Sequence, residues 1–254
     1  MSEVRKGRMR FDQDGKRILS RRPLLFAGTH SSKRINFLAR RFRHPSYLEV
    51  GVQSGLTLEH VRAKYRIGVE PTPDFSVAHL PENTQIFVGN SDDFFSANKE
   101  KFDIIFVDGL HEANQAYRDL VNSLGALKRG GVVLLDDVWP LDEPSAQPSL
   151  ESFELAREKD GITHHFWYGD VYKVLGVVKK LHPELKTTLI GGNRNHIQAL
   201  IWVGEDVSVK NKAEEAQILI DGWSFHDFFR EGEMLLDIEL MPEKQALRHG
   251  LGFR

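Results

Sequence analysis

The chain has 254 residues, 34 Lys+Arg against 36 Asp+Glu, 41% hydrophobic residues and no cysteine. That length and apolar content suit one sizeable folded domain or two small ones and exclude a disordered chain; the missing cysteine excludes disulfides, thiol catalysis and thiolate metal sites. No stretch free of Asp, Glu, Lys and Arg exceeds ten residues, and the first residues lack an apolar signal core, so a cytoplasmic protein with no membrane partner is expected.

The near-neutral total conceals a segregation. Residues 1–44 carry 13 Lys/Arg against 3 Asp/Glu, and the remainder carries 21 against 33. Such a basic arm can contact nucleic acid or a membrane surface, or it can pack on its own acidic body or on a second copy in a homo-oligomer.

From Tyr47 onward the pattern is regular. Residues 47–52 (YLEVGV) read as a strand ending at glycine, and 56–65 as a helix. Residues 66–70 and 84–89 read as further strands, and 91–99 begins with Ser and acids that suit a helix N-terminus. FDIIFVD (102–108) is an apolar, β-branched run of the kind buried on both faces. An amphipathic helix is expected over 112–128, stopped by Arg129-Gly130-Gly131, with a buried strand VVLLDD at 132–137. Beyond Pro140 lie a loop, a helix near 152–160 and a segment, 169–182, compatible with helix or strand. Residues 186–192 and 196–204 form an expected hairpin turning at Asn193-Arg194-Asn195, and one helix is expected over 213–229. Strands alternating with helices at this interval argue for an α/β, doubly wound, mostly parallel sheet. The organisation is a basic arm or helical lid (1–44), a central domain (45–204) and a C-terminal extension (205–254).

Two groups of residues at strand ends carry chemistry. In the first, a strand runs through Glu49 and Val50 into Gly51-Val52-Gln53-Ser54-Gly55 and then a helix. Glycines there let a ligand approach backbone and face a helix N-terminus. Glu70, nineteen residues after Gly51, ends the next strand, where a carboxylate can accept from ribose hydroxyls. Ser91 and Asp92 follow the third strand, suited to an adenine edge. The spacing is not the dinucleotide G-x-G-x-x-G.

In the second group, Asp108 ends one strand, and Asp136 and Asp137 end another 28 and 29 residues later. Adjacent parallel strands place their ends roughly 5 Å apart, so the three acids can converge. Crowded carboxylates require a compensating positive charge, and an oxygen-only set favours a hard cation, Mg²⁺ first and Mn²⁺ or Ca²⁺ after it. The alternative is that these acids cap helices or line solvated turns. His111, in Val107-Asp108-Gly109-Leu110-His111, can remove a proton from a substrate hydroxyl or can begin the following helix. Trp139-Pro140 and the segment Tyr168–Lys173 could line an acceptor pocket, whereas His164-His165 reads as a surface pair.

Together these residues resemble the class I S-adenosylmethionine-dependent methyltransferases over about 45–140, and more loosely over 150–204. The first motif of that family is E/D-x-G-x-G-x-G; Gln53 stands at its middle glycine. Metal-dependent O-methyltransferases of the catechol type look similar in lacking that glycine, and the macrolide-sugar (mycinamicin-type) enzymes look similar in pairing Asp-x-x-His after strand four with an acid-Asp doublet after strand five. Catechol-type enzymes carry Lys where this chain has His111, so the resemblance to the sugar branch is closer. The resemblance implies a seven-stranded Rossmann-like sheet with an antiparallel last strand. It also implies S-adenosyl-L-methionine bound by Glu49, Gly51, Gly55, Glu70, Ser91, Asp92 and Asp108. It further implies Mg²⁺ or Mn²⁺ on Asp108, Asp136 and Asp137, with His111 and Asp108 catalytic, His111 as general base, and a small hydroxylated acceptor such as a natural product, glycoside or sugar. Competing readings are a methyltransferase that holds nucleic acid through the basic arm, disfavoured by the lack of an N-P-P-Y-type motif, and a non-catalytic binding scaffold of the same fold.

Overall fold

The computed structural model describes residues 9–20, 28–192, 196–204 and 209–251. A small hairpin of β1 (Arg10–Phe11) and β2 (Arg17–Ile18) precedes α1 (His30–Ala39). The body then runs β3 (Ser46–Val50), α2 (Leu56–His60), β4 (Tyr65–Val69), β5 (Thr84–Phe87), α3 (Ser91–Ala97), β6 (Phe102–Val107), α4 (Ala113–Gly125) and β7 (Leu127–Leu135). After α5 (Leu150–Asp160) and α6 (Lys173–Leu181) come β8 (Leu185–Gly191) and β9 (Gln198–Val203). The chain closes with α7 (Ala213–Gly222), β10 (Phe229–Arg230), β11 (Glu233–Met234), β12 (Leu240–Pro242) and α8 (Glu243–Leu251).

The main sheet has the order β12-β8-β9-β7-β6-β3-β4-β5. Only β9 runs against its neighbours, β7 and β8; every other pairing is parallel. Its strands alternate side chains between two cores: Ile105 and Val107 of β6 face α4 and α6, whereas Ile104 and Phe106 face α1, α2 and α8. Burial on both faces explains why FDIIFV carries no polar alternation except Asp103.

The sheet has eight strands where seven were expected. The C-terminal extension supplies the eighth: β12 pairs in parallel with β8 and covers its open edge. The helix expected over 56–65 ends at His60, because the buried guanidinium of Arg66 takes the carbonyls of Leu58, Glu59 and Val61 that a longer helix would have used. Residues 129–131 do not stop a helix; they lie inside β7, where Gly130 takes φ +74° and the pairing with β6 shifts register. The ambiguous segment 169–182 is helical over α6. The helix expected over 213–229 breaks after Gly222, where Ser224 and Asp227 cap a short 3-10 turn. The turn Asn193-Arg194-Asn195 lies outside the described residues, although β8 and β9 pair as the expected hairpin.

Arg34 ties the N-terminal helix to the sheet. Its side chain is fully buried, and it donates to the His196 carbonyl (2.5 Å), to Gln198 Oε1 (2.8 Å) and to Glu243 Oε2 (2.9 Å). α1, β9 and α8 thus meet at one cation. Arg34→Met leaves these acceptors without a donor and is expected to cost about 3 kcal/mol, read as a lower urea midpoint at unchanged slope.

Candidate functional site

Parallel strands β3, β4, β5, β6 and β7 all end on one edge of the sheet, and the loops that leave them hold the sequence-expected residues. Gly51 leaves β3 at φ +84°, and a Cβ there would lie 1.8 Å from the Asp108 carbonyl oxygen. Glycine is therefore required for the β3 and β6 exits to lie side by side. Gln53, at the family motif's middle glycine, also adopts positive φ (+43°). Its backbone is held on both sides: its N–H donates to Glu70 Oε2 (2.8 Å) and its carbonyl accepts from Asp74 N (3.0 Å). Gly55 is the left-handed N-cap of α2.

The Glu70 carboxylate accepts from the N–H groups of Val52 and Gln53 through one oxygen and from Thr72 N through the other. It fixes the glycine loop and keeps lone pairs for further donors. Ser91 accepts from Gln115 Nε2 (3.1 Å), and Asp92 lies half-exposed, 3.5 Å from Arg118 Nε. Between them sits Asp119 of α4, which accepts from Gln115 and is pushed up to about 6 by burial. Neither Gln115 nor Asp119 was expected from sequence; a lone acid among the buried positions Ala116, Tyr117 and Leu120 was the available signal. Glu49 lies beneath this edge, 2% exposed, accepting from Tyr47 Oη at 2.6 Å.

Asp108, His111 and Asp137 form the centre. One ligand atom from each lies within 4.8 Å of the other two, and among the described residues no other such group of three His, Cys, Asp or Glu occurs. His111 Nε2 is 3.0 Å from Asp137 Oδ2 and 3.9 Å from Asp108 Oδ1. Burial first, then the charge of Asp136, raises both carboxyls well above the ordinary aspartate range; the nearness of Asp137 raises Asp108 further. Burial lowers His111, against the opposing pull of the Trp167 carbonyl and Asp136. Asp137 adopts φ +60°, a left-handed conformation that costs roughly 1–2 kcal/mol for a non-glycine residue, and its N–H donates to Asp136 Oδ1.

Asp136 itself is turned aside from this trio. Its Oδ2 accepts from Gln198 Nε2 (2.8 Å), whose Oε1 takes the Arg34 guanidinium. On the other wall, Trp167 packs on the His111 ring at 4.9 Å between centroids, and its carbonyl lies 3.1 Å from His111 Nδ1. Trp139 packs against Phe229 in an aromatic group with Tyr172 and Phe228. Of the pair His164-His165, His164 has an acid beside it in space: its Nε2 lies 2.8 Å from Asp142 Oδ2. The loop after Pro140 brings them together across 22 residues.

Residues 48–138 match the profile of a family described as a methyltransferase domain. Comparison with curated proteins yields no match. Among solved structures, the chain is similar to cofactor-bound Rv0187 from MTB, at 20% identity over 71% of this chain and 83% of that one, with a TM-score of 0.51. Also similar are the O-methyltransferase TomG from Streptomyces achromogenes (16% identity, 71% and 82% covered, TM-score 0.49) and an O-methyltransferase from Bacillus cereus (14%, 70% and 82%, 0.48).

Glu49 gives the fold a signature in pH. Burial raises its carboxyl from about 4.5 to about 8, next to Tyr47, Arg66 and Asp108. Between those values the folded protein holds a proton that the unfolded chain has released, so this group's contribution to stability falls as pH rises through the window. Glu49→Gln removes the titration. The melting temperature of the variant relative to the parent is expected to climb from pH 5 to pH 8, as read by circular dichroism.

Proposed function

Residues 48–138 match a family described as a methyltransferase domain, and from that match we propose that the protein is a class I S-adenosylmethionine-dependent methyltransferase that methylates a hydroxyl of a small molecule with the help of a divalent cation and His111. The observation that carries this reading is the convergence of Asp108, His111 and Asp137 beside the glycine loop. The acceptor class, a natural product, glycoside or sugar, follows the resemblance of Asp108-x-x-His111 and Asp136-Asp137 to the macrolide-sugar enzymes. No helix among the described residues is long and apolar enough to cross a membrane.

The donor set suits a hard cation. Two carboxyls whose ionisation is disfavoured by burial and by each other sit within reach of one point, and a cation there would relieve both penalties. Asp108 and Asp137 would hold it, with the charge of Asp136 close behind. When bound, it would act as a Lewis acid that lowers the pKa of the acceptor hydroxyl. When bound, S-adenosylmethionine would supply a sulfonium methyl group, the sulfur keeping the electron pair of the broken S–C bond as the acceptor oxygen bonds the carbon.

The chain's own residues do the remainder. Glu70 holds the Val52-Gln53 backbone so that the glycine loop presents a fixed cradle. Gly51 allows that cradle to lie against the Asp108 backbone, so the cofactor-side and metal-side groups share one cleft. His111 Nε2 accepts the acceptor's hydroxyl proton, and the carboxylate of Asp137, 3.0 Å away, stabilises the imidazolium that results. Trp167 covers one face of the ring and keeps water from it. No covalent enzyme intermediate is needed.

Calorimetry with S-adenosylhomocysteine, thermal shift with Mg²⁺ alone and turnover on a panel of glycosides and catechols test the reading. Asp137→Ala is expected to abolish the Mg²⁺-dependent thermal shift and turnover while S-adenosylhomocysteine still binds. Full turnover by that variant in chelator removes the metal, and absence of S-adenosylhomocysteine binding by the parent removes the whole reading. His111→Gln is expected to slow turnover by about 10²–10⁴ with cofactor affinity unchanged.

A further inference from the structure

The segment Trp167–Asp170 reaches the site from the loop before α6, 56 residues from His111 in sequence, and grips residues 111–113 at three points. At the first, the Trp167 carbonyl lies 3.1 Å from His111 Nδ1. At the second, Gly169 crosses directly over the His111 backbone: it takes φ +62°, and a Cβ on it would lie 1.7 Å from the His111 carbonyl oxygen. At the third, Asp170 Oδ1 accepts from the N–H of Ala113, the first residue of α4, at 2.7 Å, while Lys173 Nζ lies 3.2 Å from Asp170 Oδ2. The segment is itself anchored. Tyr168 N donates to the Ser145 carbonyl (2.9 Å), and Trp167 Nε1 donates to the Gln147 carbonyl (2.7 Å).

We propose that Trp167–Asp170 is a positioning clamp that selects the tautomer of His111 in which Nδ1 carries the proton and Nε2 is bare. This rests on the reading of His111 as the base. The physical need for a clamp comes from Asp137. A neutral imidazole has one N–H, and a carboxylate 3.0 Å from Nε2 attracts that hydrogen to Nε2. The result would be a ring that donates to Asp137 and has no lone pair facing the acceptor. A backbone carbonyl can only accept, so the Trp167 oxygen draws the hydrogen to Nδ1 and leaves Nε2 free to take a proton. The carbonyl is effective only while the chain at 167–170 stays pressed against 111–113. That is why glycine is needed at 169 and why the start of α4 is pinned by Asp170.

Long-range ¹H–¹⁵N correlation spectra of the full chain at about pH 8, above the ordinary histidine range, read the tautomer directly. The His111 signals are identified by their loss in His111→Gln. The expected pattern is protonated Nδ1 and bare Nε2 in the parent. Gly169→Ala is expected to shift His111 toward the Nε2–H tautomer, with S-adenosylhomocysteine affinity by calorimetry unchanged. Asp170→Ala, which adds no steric clash, is expected to move the tautomer in the same direction and serves if Gly169→Ala does not fold. A parent protein protonated on Nε2 overturns the proposal, as does a tautomer unmoved in both variants. The spectra do not depend on turnover: a parent with bare Nε2 that methylates none of the glycosides and catechols supports the clamp and counts against the acceptor reading alone.

Discussion

Like charges crowd at the carboxyl ends of β6 and β7, and much of the surrounding structure follows from that crowding. Asp108, Asp136 and Asp137 leave two adjacent parallel strands, where the strand spacing alone forces their carboxyls together. Desolvation raises the cost of ionising Asp108 and Asp137. Each is therefore given a separate arrangement. Asp136 is drawn off by Gln198, Asp137 is turned back through a left-handed backbone toward His111, and Asp108 lies against the glycine loop.

Those arrangements reach deep into the fold. Gln198 can donate to Asp136 only because the buried guanidinium of Arg34 occupies its other end, and Arg34 also joins α1 to α8 through Glu243. The N-terminal helix, the antiparallel strand β9 and the C-terminal helix are thus linked, through one amide, to a carboxylate at the site. On the opposite wall, the loop between α5 and α6 grips His111 and the start of α4. The site is supported from both sides by segments that lie beyond the matched region 48–138.

The glycine loop shows how the same constraint is met with unusual residues. Gln53 takes the positive φ that the family's middle glycine would adopt freely. The cost is offset by Glu70 and Asp74, whose carboxylate and backbone N–H hold the Gln53 peptide on both sides. Glu70 therefore has a structural task beyond any contact with a ribose: it keeps the loop in shape where glycine does not.

The sequence by itself determined the parallel α/β order, the strand ends and the types of group gathered there, because those depend on local periodicity and on the fixed spacing of adjacent strands. FDIIFVD and VVLLDD read as buried strands, and strand spacing let their terminal acids converge. Which acids face the imidazole was a tertiary decision. Asp136 and Asp137 are neighbours in sequence, and only the φ of Asp137 and the reach of Gln198 separate their directions. The eighth strand, the early end of α2 and the Trp167–Asp170 contact with His111 were equally illegible, since each depends on a partner far along the chain: β8 for β12, Arg66 for the Leu58 carbonyl, His111 for Gly169. Periodicity records which face of an element is buried; it carries no record of which distant group completes a hydrogen bond, and at this site such bonds set the direction of the side chains.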